Sequence, residues 1–138
     1  MWSVGCIMAE LILREPLICG KSEIDQLERM FKIVGTPTDE NWPGWRELKY
    51  AKKYQQVYSK NQSCKLRDKF PIMPLSKDDP MYLTDTGLDL LKRLFTLNPD
   101  KRISAEEALK HPWFNELPMV ADQATMPKFA PMNEISRE

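Results

Sequence analysis

Histidine is almost missing from this chain: His111 is the only one in 138 residues. Metal chelation by imidazoles is thereby close to excluded. Cysteine is scarce and odd in number, since Cys6, Cys19 and Cys64 show no paired short spacing. That argues against a disulfide frame or a zinc site and leaves buried or free thiols of a reducing compartment. Neither sign of charge prevails, with 20 basic residues against 20 acidic ones. The whole molecule therefore carries no field suited to a nucleic acid or an anionic membrane. Glycines number five, at 5, 20, 35, 44 and 87, and are never grouped, so no Gly-rich loop exists to cradle phosphates. No apolar run approaches the length that spans a bilayer. Internal repeats are lacking, and no strand signal exceeds a few residues.

What is present suits one soluble globular domain: 42% apolar and 29% charged residues. The opening Met1-Trp2-Ser3-Val4-Gly5-Cys6-Ile7-Met8-Ala9-Glu10-Leu11-Ile12-Leu13 is apolar nearly all round. It lacks a basic start, contains Glu10 and runs into Arg14-Glu15 without a small-residue cleavage site, so a buried helix from Trp2 to Arg14 stands ahead of a signal peptide. Pro16 ends it. Ser22 with Asp25 three residues on forms the pattern of a capping box, and Ile24, Leu27, Phe31 and Val34 follow at helical spacing. Gly35 and Pro37 close that helix.

From Thr36 to Asp79 the character changes. Trp42-Pro43-Gly44-Trp45 is a turn whose aromatics want a surface to lie on. Tyr50, Tyr54 and Tyr58 recur every four residues, which predicts a modest helix. Between Lys49 and Lys69, Lys49, Lys52, Lys53, Lys60, Lys65, Arg67 and Lys69 stand against Asp68 alone. A phosphate or nucleic-acid patch is one reading of that excess; a solvated helix resting its tyrosines on the rest of the protein is favoured. Thr84 caps a helix lined by Leu88, Leu91 and Phe95. Ser104 and Glu107 form a second capping box before a short helix that stops at His111-Pro112. Residues 115–138, with Pro118, Pro127 and Pro131, read as an irregular tail. The predicted fold class is all-α.

Six landmarks then stand in order: Trp2-Ser3-Val4-Gly5-Cys6, Gly20-Lys21-Ser22-Glu23-Ile24-Asp25-Gln26-Leu27, Gly35-Thr36-Pro37, Trp42-Pro43-Gly44, Leu97-Asn98-Pro99-Asp100-Lys101-Arg102 and His111-Pro112-Trp113-Phe114. Together they resemble the C-terminal lobe of a cyclin-dependent-kinase-like serine/threonine kinase, most similar to the PITSLRE branch. The resemblance implies a partial kinase fold over residues 1–114, with 36–79 the insertion of that group. It implies that Trp2 to Arg14 is helix F, Ser22 to Val34 helix G, Thr84 to Thr96 helix H and Ser104 to Lys110 helix I. The family transfers the γ-phosphoryl of ATP to serine or threonine with magnesium and a cyclin, in the nucleus or cytoplasm.

The parts for that chemistry are not in this sequence. Phosphoryl transfer needs positioned metal ions, a phosphate cradle and a group that orients the hydroxyl. There is no His-Arg-Asp, no Asp-Phe-Gly and no Ala-Pro-Glu; by the resemblance all precede Met1. The chain is therefore expected to be a fragment, from a partial gene model or internal initiation, with no catalytic, cofactor-binding or metal residues, no ATP and no kinase activity of its own. The resemblance assigns Arg102 to a structural ion pair with the glutamate of Ala-Pro-Glu. With that partner absent, the arginine is expected to be exposed and mobile. One apolar face of the first helix is expected to lie uncovered, giving a poorly soluble or partner-dependent fold. A second function class is a protein-interaction module docking partners through Ile24, Leu27, Trp42 and Trp45. His111 is read as a helix-end residue packing near Trp113 and not as a base. Cys6 and Cys19 are read as core thiols. Ser59, Ser63 and Thr36 are phosphoacceptors only at background level.

Overall fold

The chain opens directly into helix α1, Trp2–Leu13. Arg14 takes the left-handed conformation, φ 59° and ψ 16°, and its N–H closes the last turn on Glu10 O at 2.7 Å. This is a computed structural model, and it describes residues 1–54, 57, 62–73, 82–119 and 121–128. Helix α2, Glu23–Val34, starts where Ser22 Oγ accepts the Asp25 N–H at 3.2 Å. The Asp25 carboxylate reaches back to the Lys21 N–H at 2.8 Å, one residue ahead of the expected reciprocal bond. Gly35 ends α2 at φ 90°, where a side chain would be strained and its Cβ would also meet Gln62 O at 3.0 Å.

Two further helices bear out their caps. In α4, Asp85–Leu94, the Thr84 hydroxyl accepts the Gly87 N–H. In α5, Ala105–Leu109, Ser104 and Glu107 satisfy each other's backbone reciprocally. Between α2 and α4 lies a helix the sequence did not announce, α3, Leu66–Lys69, a single turn. Short 3₁₀ turns occupy Trp45–Glu47, Pro99–Lys101, Pro112–Asn115 and Gln123–Thr125. Among the described residues there is no strand.

The core forms where α1 crosses α4. Gly5 allows the approach, because a Cβ there would sit 3.0 Å from Leu94 Cβ and 3.1 Å from the Phe95 ring. Trp2 meets Phe95 edge to face, 5.0 Å between centroids. Ala9, Leu88, Leu91 and Phe95 pack with Ile33 of α2 and with Leu66 and Phe70 around α3. Burying each large side chain of that set stabilises the fold by about 1.5–3 kcal/mol. A second cluster joins Leu90 and Leu94 of α4 to Ile103 and to Ala108 of α5. The segment after α2 returns beside it, with Thr36 N–H on Gln62 O at 3.0 Å and Lys65 N–H on Ile33 O at 2.7 Å.

Some expectations need correction. Of the predicted tyrosine helix, the described residues Tyr50–Tyr54 are turns and Val57 is helical; Tyr58 and Ser59 lie outside the described residues. The tyrosines also differ in role. Tyr50 is exposed and faced by the ammonium groups of Lys49 and Lys53, whereas Tyr54 donates its hydroxyl hydrogen to Glu23 of α2 at 2.9 Å. Cys19 is exposed and not a core thiol, since it follows Leu17 and Ile18, whose side chains do pack on the core. Cys6 is half-buried as expected. Burial foremost, then the Glu10 charge, pushes its thiol up, against a lowering hydrogen bond with Trp2.

Candidate functional site

Two surfaces stand out, and both are built on α1. The first is a groove of about 290 Å³. Trp2 enters it from α1, Leu27 and Met30 from α2, Trp42 and Trp45 from the turn after Pro37, and Arg102 from the Pro99–Lys101 turn. Asn98 shapes that turn. Its side chain accepts the Asp100 N–H at 3.0 Å, so the preceding carbonyls curl back toward Arg102. The guanidinium donates from Nε to Thr96 O at 2.9 Å and from Nη2 to Leu97 O at 3.2 Å. It also lies over the Trp2 ring, 5.4 Å from the centroid.

Arg102 is thus half-buried and held, and the expectation of an exposed side chain is corrected. The physical reason is that carbonyl oxygens and an indole face do what a carboxylate was thought to be needed for. Among the described residues no carboxylate pairs with it, and part of its N–H set stays uncommitted.

Of the residues singled out for docking, Leu27, Trp42 and Trp45 come together in this groove, and Ile24 does not line it. Ile24 is exposed on α2 at 42%. Trp45 is buried, with Arg46 stacked 4.7 Å above its ring, so it serves as floor and not as an open contact. Trp2 was missed as part of this site, as were the Thr96 and Leu97 carbonyls. The Asn98-Pro99 turn was the one signal that could have indicated them.

The second surface is a groove of about 720 Å³ along the other side of α1. Val4, Ile7 and Leu11 recur at helical spacing there and are 52%, 56% and 77% exposed. Leu90 and Leu94 of α4 form its base and Leu109 of α5, 78% exposed, its rim. The apolar circumference of α1 is therefore covered on one side only, as expected for that helix.

His111 sits at the end of α5 and is buried at 6% exposure. Its Nδ1 accepts the Trp113 N–H at 3.3 Å, and its Nε2 faces Asp89 Oδ2 at 3.1 Å. The helix-end reading holds, and the Asp89 partner was not foreseen. Desolvation pushes the Asp89 carboxyl upward, but hydrogen bonds from His111 and Arg93 outweigh it and hold the group low. Among the described residues no three His, Cys, Asp or Glu side chains converge as metal ligands would. Among those residues, too, no helix is long and apolar enough to cross a membrane.

The protein kinase domain family matches residues 1–114, and the chain belongs to that family. Among proteins it is similar to, it is 47% identical over 137 residues to cyclin-dependent kinase G-1 of Oryza sativa subsp. indica, covering 99% of this chain and 19% of that protein. It is 47% identical over 129 residues to serine/threonine-protein kinase ppk23 of Schizosaccharomyces pombe, covering 94% and 30%. With cyclin-dependent kinase 11B of Homo sapiens the identity is 41% over 137 residues, covering 99% and 16%. The chain spans less than a third of the length of each of these relatives.

Proposed function

We propose that this chain is the C-terminal-lobe part of a cyclin-dependent-kinase-like serine/threonine kinase of the PITSLRE branch. In that reading α1, α2, α4 and α5 are helices F, G, H and I, residues 36–79 are the insertion, and 115–138 are a tail. The whole protein transfers the γ-phosphoryl of ATP to serine or threonine hydroxyls with magnesium and a cyclin, in nucleus or cytoplasm. The part described here supplies the rigid base for that chemistry and does not perform it.

The observation that carries this reading is the Arg102 cradle. A half-buried guanidinium, fixed by the Thr96 and Leu97 carbonyls and by Trp2, keeps donors free for a carboxylate. That is the environment expected of an arginine tying an activation segment to the lobe. In this reading this part of the chain does not hold Mg-ATP. The five glycines are scattered through α1, α4 and separate turns, and the described acids do not converge. No step of phosphoryl transfer is therefore assigned to side chains of this chain. Incubating the purified 138-residue protein with a peptide substrate and ATP labelled at the γ-phosphate should leave the peptide unlabelled. Labelling above a no-protein control would overturn the proposal.

A second reading, a docking module, draws support from Ile24, exposed on α2, and from Trp42, half-buried in the first groove. Replacing Trp42 with alanine should then abolish capture of a partner in a pull-down; capture that survives the change counts against this surface.

A further inference from the structure

His111 lines neither groove and the kinase reading gives it only a place in a motif and no role, yet it is built into a cap with an internal counterpart. Two turns of this chain share one construction, in which the residue before a proline accepts the backbone N–H two positions on. At Asn98-Pro99-Asp100 the acceptor is Asn98 Oδ1, 3.0 Å from the Asp100 nitrogen. At His111-Pro112-Trp113 it is His111 Nδ1, 3.3 Å from the Trp113 nitrogen. An amide oxygen accepts at any pH, whereas an imidazole nitrogen accepts only while it carries no proton. The opposite nitrogen, Nε2, faces the Asp89 carboxylate at 3.1 Å, and an ionised carboxylate only accepts. The hydrogen must therefore sit on Nε2. Both ring positions are assigned by their partners, and the ring that caps the turn is the neutral one.

We propose that His111 is a pH-sensitive latch on the Pro112–Asn115 turn. Proton uptake at Nδ1 converts the acceptor into a donor pointing at another donor, and the Trp113 N–H is released. Several charged groups line one cavity with the ring. From α4 these are Asp89 and Arg93, which bond each other at 2.7 Å. From α5 they are Glu107 and Lys110, and from the Pro99–Lys101 turn and its end Asp100, Lys101 and Arg102. Glu116 acts from beyond the turn itself.

Release matters because the turn carries two walls of the apolar groove on α1. Trp113 packs against both hydrophobic clusters, and Trp113 and Phe114 line the groove beside Leu11 and Leu109. Letting the turn go loosens that wall, so acidification changes how well α1's exposed face is held.

The test is nuclear magnetic resonance on the full chain between pH about 7.5 and about 5, the span in which an ordinary imidazole titrates. Ring nitrogen shifts should show the Nε2–H tautomer at the upper end. As the ring takes up a proton, hydrogen-exchange protection of the Trp113 amide should drop about tenfold beyond the intrinsic change, the worth of one ordinary hydrogen bond. The Asp100 amide, capped by Asn98, should keep its protection throughout. His111→Asn should make Trp113 behave like Asp100, protected at both ends of the range. If that variant does not fold, the wild-type comparison of the two amides stands alone. A Trp113 amide unmoved while the ring titrates, a ring that stays neutral down to pH about 5, or Nδ1 protonated at pH about 7.5 would each overturn the latch.

Discussion

Arg102 keeps its charge half out of water on two carbonyls and an indole face. Arg102→Ala removes all three contacts and should lower stability by about 1–3 kcal/mol in urea unfolding. Arg102→Lys keeps the charge but not the fork, and should fall between the two. An unchanged midpoint for the alanine variant would mean the cradle contributes nothing. Carboxylates set the acid limit. Asp25 is held low first by the Lys21 backbone N–H, and Glu107 first by that of Ser104. A depressed folded value means that these groups stabilise the fold above their ordinary values of 3.8 and 4.5, and that the benefit is lost as pH falls through the folded values. The carboxylate-linked loss of melting temperature should thus begin below pH about 4.5 and be smaller in Ser104→Ala, which itself lowers stability by about 1 kcal/mol. A melting temperature flat to pH about 3 would contradict this. Arg102 was identifiable in the sequence, but its burial was not, because the Thr96 and Leu97 carbonyls reach it only through the Asn98 turn. Cys19 misled for a related reason: a thiol beside Leu17 and Ile18 reads as core until the chain's direction is known.

Helices α2, α4 and α5 were legible because each begins with a Ser or Thr whose hydroxyl accepts an N–H and continues with apolar residues on one face. Such signals are local, and tertiary context had little to override. Residues 36–79 were less legible. Leu66 and Phe70, 1% and 0% exposed, are core residues, yet α3 is too short to show a period and depends on pairing with Ile33. Tyr50 and Tyr54 had the spacing of a helix but answer to lysines and to Glu23 instead. Helix α1 carries the third prediction. Its stripe of Val4, Ile7 and Leu11 faces outward, so Leu11→Glu should raise the soluble fraction of the expressed chain with little loss in unfolding midpoint. A large drop in the midpoint would show that this face is covered in the isolated chain.

The molecule as a whole buries α1 unevenly. Its hydrophobic clusters close between α1 and α4, while the opposite side of α1 offers an open apolar groove. Leaving a few hundred Å² of such surface wet forfeits several kcal/mol, at about 25 cal/mol per Å², comparable to a domain's whole margin. The protein kinase family was legible from six short motifs, five of which mark a turn or a cap while the first lies within α1, and the match over residues 1–114 bears the family out. The deciding measurement is a calorimetric titration of the purified chain with ATP and magnesium. The prediction is no saturable heat at any nucleotide concentration up to the millimolar range. A micromolar dissociation constant with one nucleotide bound per chain would contradict the proposal that this part of the kinase lacks the means to hold it.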